Sequence, residues 1–151
     1  ADEAARLRHA LECPEPRIEL GLALGGVAHA ALDVSDGLAG DLLHILERSR
    51  VKAQVDVEAL PRSPALRKLA RADQLRCAIA GGDDYELCFT AAPEHRDAVI
   101  AAGARAGVAV SRIGTITTLL APSEAPAIVW LDASHAPLDL KLQGFDHFNA
   151  A

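Results

Sequence analysis

Between Leu38 and Glu58 the apolar residues change period, and that change limits the fold more than any other feature of the chain. Leu38, Leu42, Ile45 and Leu46 recur at i, i+4, i+7 and i+8, the stripe of a helix running on from Asp36, with Asp41, Glu47 and Arg48 elsewhere on its surface. Immediately afterwards Val51, Ala53, Val55 and Val57 alternate with Lys52, Gln54, Asp56 and Glu58, the pattern of a half-buried strand. A helix stripe and a strand face joined this closely bury their apolar sides in one core. The sequence therefore predicts a layered α/β (α+β) fold, a mixed sheet packed with helices.

The rest of the chain repeats the interleaving. Ala1–Cys13 reads as a helix stopped by Pro14 and Pro16, and a second helix covers about Arg17–Val27, ending near Gly25-Gly26. Ala30-Ala31-Leu32 is a short buried strand that delivers Asp33 at its carboxyl end. Pro61–Arg71 reads as a loop leading into a short helix, and Gly81-Gly82 breaks the chain before a period-two strand through Tyr85, Leu87 and Phe89. Pro93 opens a helix to about Ala106; Val108–Ile116, interrupted at Gly114, and Ile128–Leu131 read as strands; Leu138–Phe148 is extended or irregular. The 151 residues suit one globular domain or one half of a two-domain enzyme, and the pattern leaves the strand order open.

Half of the residues are hydrophobic, enough for a sizeable core, but only 3% are aromatic. The 15 basic and 21 acidic residues give a net charge of −6, without the basic footprint of a nucleic-acid binder. An acidic protein that binds an anionic ligand needs a cation or aimed backbone N–H groups to offset repulsion. Cys13, Cys77 and Cys88 lack CxxC spacing and read as small buried hydrophobes of a reducing cytoplasm. No long apolar run or signal-like start is present, so the reading is soluble and cytoplasmic.

Asp33-Val34-Ser35-Asp36-Gly37-Leu38 carries the densest chemistry, at a strand-to-helix junction. Two carboxylates three residues apart could hold Mg²⁺, while the free N–H groups of the following helix favour a phosphate. Ser35 and Asp36 are equally good helix caps, with Gly37 serving a tight turn. Gly81-Gly82-Asp83-Asp84-Tyr85-Glu86-Leu87 is a second acidic, glycine-bearing turn beside a strand, where missing Cβ atoms admit close backbone approach. It reads either as a plain loop or as the other side of one composite site. Phe145 and Phe148, in Gly144–Phe148, either pack the terminus into the core or form a plate for a planar ligand ring. P-loop, GxGxxG, protein-kinase and GxSxG motifs are missing, and the six histidines show no zinc spacing.

These pieces in this order resemble the thiamine-monophosphate kinase family. The matching segments are Pro14–Arg17, Leu32–Leu38, Asp41–Leu46, Ala59–Pro61, Gly81–Thr90, Ile113-Gly114 and Gly144–Phe148, spread over nearly the whole chain. The resemblance implies a superfamily shared with aminoimidazole ribonucleotide synthetase and selenophosphate synthetase, whose members pair two α/β domains and dimerise mainly through the amino-terminal one. This chain would be the carboxyl-terminal domain, with the amino-terminal ATP-binding and dimerisation domain absent from it.

The reaction implied is direct transfer of the ATP γ-phosphoryl group to thiamine monophosphate. Asp33 and Asp36 would be Mg²⁺ ligands, Ser35 would contact ATP, Asp83 would sit at the substrate site, and Phe145, or failing it Phe148, would pack on the thiamine. The family often has Glu where this chain has Asp83, one methylene longer. Without the other half's acidic ligands and nucleotide contacts, the chain alone is expected to be inactive. Rival readings are a sibling enzyme of the superfamily with another substrate, and a non-catalytic fragment that self-associates. A phosphatase of the haloacid-dehalogenase type would need its two acids two apart, not three.

Overall fold

In the computed structural model, which describes residues 3–119, 121 and 123–140, the chain opens with α1 (Glu3–Glu12) and α2 (Ile18–Ala23). No residue of α1 is buried; Leu7 and Leu11 stay exposed, and Lys68 meets Glu3 at 2.8 Å. The second helix ends earlier than its sequence pattern predicts, because Gly25 and Gly26 follow as a turn that returns the chain into β1 (Ala28–Asp33).

The period change is reproduced. α3 (Leu38–Ser49) buries Leu38, Ala39, Leu42, Ile45 and Leu46, and Arg50 in the left-handed region (φ 52) turns the chain directly into β2 (Val51–Asp56). Pro61–Leu69 is loop and one 3-10 turn, followed by a full helix, α4 (Arg71–Ala80), where the sequence pattern gave only a short one. β3 (Leu87–Ala91) follows, then a 3-10 turn at Pro93 that opens α5 (Arg96–Ala106). β4 (Gly114–Thr118), β5 (Ile128–Leu131) and β6 (Pro137–Leu138) complete the described elements.

The described strands form two sheets. β1 and β3 pair antiparallel; β4, β2, β5 and β6 form a mixed sheet in that order, with β2 parallel to β5 and the other pairs antiparallel. The larger core joins α3 to this sheet through Leu42, Leu46, Val55, Val57, Ile79 and Trp130. A smaller core lies between α2 and α5, around Leu20, Leu24 and Ala102.

Three further sequence expectations are corrected. Val108–Ile113 is not strand: Val108 and Val110 pack onto the smaller core, and apart from one bond from Asp56 N–H to Ile113 C=O at 2.9 Å the ladder with β2 begins at Gly114, whose missing Cβ leaves room for Gln54 O. Tyr85 lies outside β3, in the turn before it. Only Cys88 of the three cysteines is buried; Cys13 follows the uncovered α1 and Cys77 sits on the open face of α4. Among the described residues no helix is long and apolar enough to cross a membrane.

Candidate functional site

Asp33 closes β1 and Leu87 opens β3, and the two are partners in the antiparallel ladder. The segments beyond them, Val34–Gly37 and Gly81–Glu86, therefore leave the same end of the hairpin-like pair. Backbone pairing continues into both. Val34 N–H donates to Glu86 C=O at 2.8 Å, Tyr85 N–H to Val34 C=O at 2.8 Å, and Asp83 N–H to Ser35 C=O at 2.9 Å. The two acidic turns are thus one structural unit. Asp33 and Asp83 are exposed, while Ser35 and Asp36 are half-buried.

This approach depends on glycine. A Cβ on Gly82 would lie 2.5 Å from Ser35 O, well inside contact, and Gly37 combines φ 103 with Ala80 backbone atoms 3.0–3.1 Å from its would-be Cβ. Strain is also stored in the second turn, where Asp83 (φ 64) and Tyr85 (φ 50) both occupy the left-handed region. Asp tolerates that region through local hydrogen bonding; an aromatic residue seldom does, at a cost on the order of 1–3 kcal/mol.

The capping reading of Ser35 and Asp36 is not what the loop does. The N-cap of α3 is Gly37 and no side chain caps the helix. Instead Asp41, in the first turn of α3, reaches back: its Oδ2 accepts the backbone N–H of Ser35 at 2.9 Å and that of Asp36 at 3.0 Å. Asp41 is 6% exposed and is the one buried charged side chain among the described residues. The sequence pattern places it elsewhere on the helix than the apolar stripe. Yet it stands three residues after Leu38 and four before Ile45, on the apolar stripe itself, and a carboxylate there needs partners.

The rim is acidic. Partial desolvation, with Glu86 and Asp83 adding like charge, pushes the Asp84 carboxyl above the usual range although its outer surface meets solvent. Glu86 is held by Arg17 in a two-point ion pair, Nη2 to Oε1 at 2.6 Å and Nε to Oε2 at 2.9 Å. Beneath the loop, burial raises the Cys88 thiol to about 11, helped by the nearby Asp41 charge.

Among the described residues no three His, Cys, Asp or Glu side chains surround one point. Asp33 and Asp36 supply two carboxylates, the donor type of Mg²⁺, which takes one or two of them and completes its shell with water and phosphate oxygens. The groove of about 380 Å³ lined by His29, Ile45, Thr90 and Ile116 shares no residue with either acidic turn. Main-chain pairing joins the segment that carries Asp33, Ser35 and Asp36 to the one that carries Asp83, whereas Phe145 and Phe148 lie outside the described residues.

Residues 7–119 match the family described as AIR synthase related protein, C-terminal domain. A thiamine-monophosphate kinase of Salmonella typhimurium is 42% identical over 136 residues, covering 89% of this chain and 40% of that protein. The crystal structure of thiamine-monophosphate kinase from Stenotrophomonas maltophilia is similar with a TM-score of 0.75 and 47% identity, over 85% of this chain and 40% of that one. The structure of AaThiL complexed with AMPPCP and TMP is similar with a TM-score of 0.71 and 25% identity, over 95% and 41%. The chain thus spans about two fifths of the length of the relatives that it matches along most of its own.

Proposed function

The chain belongs to the AIR synthase related proteins, as their C-terminal domain, and from that premise we propose that it is the carboxyl-terminal part of a cytoplasmic kinase that phosphorylates thiamine monophosphate. The observation that carries the reading is the backbone bond from Asp83 to Ser35, which makes the two acidic turns one rim. The likeness to kinases of that name, and to a complex with AMPPCP and TMP, supports the choice of substrates.

In the proposed reaction an oxygen of the thiamine monophosphate phosphate attacks the γ-phosphorus of ATP. The bond to the β–γ bridging oxygen breaks, ADP leaves with the electron pair, and thiamine diphosphate remains. Such transfer is governed by in-line positioning and charge neutralisation, with little covalent work for the protein. Asp33 and Asp36 would hold Mg²⁺, which when bound neutralises charge on the phosphates. Ser35 would contact ATP beside the uncapped amino end of α3, whose amides favour an anion. Asp83 would meet the substrate, its shorter side chain reaching less far than Glu, and Phe145 would pack on the thiamine ring. Further metal ligands, most nucleotide contacts and the homodimer interface would come from an amino-terminal domain.

The test compares the full-length protein with the 151-residue chain. The full-length protein with ATP, Mg²⁺ and thiamine monophosphate should form thiamine diphosphate, the chain alone should not, and Asp33→Asn and Asp36→Asn should each lower kcat by about 100-fold or more. Formation of thiamine diphosphate by the isolated chain, or a preference of the full-length protein for another phosphate acceptor, would overturn the reading.

A further inference from the structure

The proposed chemistry gives Asp41 no role, yet among the described residues it is the one buried charged side chain. It shares the apolar stripe of α3 with Leu38, Leu42 and Ile45, above the large core. A buried carboxylate is costly unless hydrogen bonds replace its water. Its partners are the main-chain amides of Ser35 and Asp36, both on the single oxygen Oδ2.

Those two amides hold the segment from below, while the acidic turn holds it from the side. Val34 is paired through its N–H and its C=O to Glu86 and Tyr85, and the Ser35 carbonyl accepts from Asp83. Consecutive peptide units from Val34 to Asp36 are therefore fixed on both flanks, immediately before Gly37, whose φ of 103 is one that side chains rarely adopt. The side chains of Ser35 and Asp36 leave this same backbone. Freeing their amides lets the peptide planes rotate, and misplacement of about 1 Å at a reacting centre costs on the order of 100-fold in rate.

We infer that Asp41 is a positioning residue: a buried acceptor that sets the loop from Asp33 to Asp36 in its working shape without touching ligand. The inference rests on the kinase reading above. A charged acceptor is stronger than a neutral one for the same N–H groups. Because both bonds converge on one oxygen, the carboxamide oxygen of Asn can replace it, whereas Leu fills similar space with no acceptor.

The experiment uses the full-length protein carrying Asp41→Leu or Asp41→Asn. Asp41→Leu should lower kcat by about 30-fold or more while KM for thiamine monophosphate changes by no more than about twofold. In the metal-free, substrate-free protein it should speed amide hydrogen exchange at Ser35 and Asp36 by about 10-fold or more. Asp41→Asn should recover kcat to within about fivefold of the parent, as the retained acceptor predicts. A folded Asp41→Leu protein with parental kcat, or with unchanged exchange at both amides, overturns the inference, as does an Asn variant no better than Leu.

If Asp41→Leu does not fold, Asp41→Asn decides through the amide proton resonances of Ser35 and Asp36. They should move upfield with loss of the charged acceptor, and unmoved resonances overturn the inference. The exchange and resonance measurements need no substrate. A parent protein that makes no thiamine diphosphate would therefore defeat the kinase reading and leave these readouts to decide Asp41.

Discussion

Arg17 holds Glu86 across 69 residues of sequence, with Nε on one carboxylate oxygen at 2.9 Å and Nη2 on the other at 2.6 Å. Its Nη1 also donates to Glu15 at 3.1 Å. Arg17 is the last residue before α2, and Glu86 the last before β3, so the pair ties the segment after Pro14 to the far end of the acidic turn. Main-chain bonds fix that turn to the Ser35 loop, and Arg17 fixes it from the opposite side.

Arg17→Met should therefore lower stability by about 1 kcal/mol, since the guanidinium is mostly covered but Glu86 is half exposed and screened. Arg17→Lys should recover less than half of the loss, because an ammonium cannot make the fork. Urea unfolding followed by the buried Trp130 gives the numbers. With Glu86→Gln it also gives a double-mutant cycle, expected to show coupling of about 0.5–1 kcal/mol. Additive losses would mean that the fork contributes nothing beyond its separate side chains.

Gly82→Ala should separate the two turns. The added methyl meets Ser35 O at 2.5 Å, and backbone on both sides cannot yield as a flexible side chain could. A loss of about 1–3 kcal/mol in the same urea assay is expected, with faster amide exchange at Asp83, the donor to Ser35. Parental stability with parental exchange at Asp83 would show that the close approach is dispensable.

Legibility tracked how far local pattern controls the element. α3 and β2 were readable because each has a one-sided apolar period and faces a single core. α4 was legible only as a short helix, because in Arg71–Ala80 Ile79 alone is fully buried, with Leu75 and Ala78 partly covered beside it. Val108 and Val110 have strand-like alternation but spend it on the smaller core, a choice made by tertiary packing. Asp33, Ser35, Asp36 and Asp83 stood out by residue type at strand ends, and the ladder between Asp33 and Leu87 sets the two segments that carry them at one end of the β1–β3 pair. Asp41 was missed because charge outweighed position: its place between Leu38 and Ile45 pointed inward, and the two amides that make burial tolerable are invisible in sequence.

Asp84→Asn should stabilise the chain at neutral pH. Burial first, then Glu86 and Asp83, raises the carboxyl's folded pKa above its unfolded one, so ionisation opposes folding. The favourable contribution of the protonated form is complete below the unfolded pKa and is lost as pH rises through the folded one. The gain at pH 7 should be a few tenths of a kcal/mol, the scale of screened surface charges, and should vanish toward pH 3. Thermal melts of both proteins across that range provide the comparison; parallel curves would place the carboxylate in ordinary solvent.

Cys88 makes the opposite end of the pH scale informative. Its thiol is raised from 9.0 to about 11, by burial first and by the charge of Asp41 second. At pH 8 only about one native Cys88 in a thousand is thiolate, so a disulfide reagent should titrate the exposed Cys13 and Cys77 quickly and reach Cys88 only on unfolding. The same shift sets a stability slope. Below pH 9 both states hold the proton; above it the unfolded chain releases the proton that the folded chain retains, so stability falls until the folded thiol ionises near 11. The loss amounts to about 2–3 kcal/mol across that interval, superimposed on the titration of Lys, Tyr and Arg, which a Cys88→Ala protein shares. The difference between the two unfolding curves isolates the thiol: Cys88→Ala should start lower, from the small cavity that it leaves, and approach the parent as pH rises. Curves that stay a constant distance apart from pH 8 to pH 11, or a third thiol that reacts as fast as the other two, would remove Cys88 from the dry floor beneath Asp41.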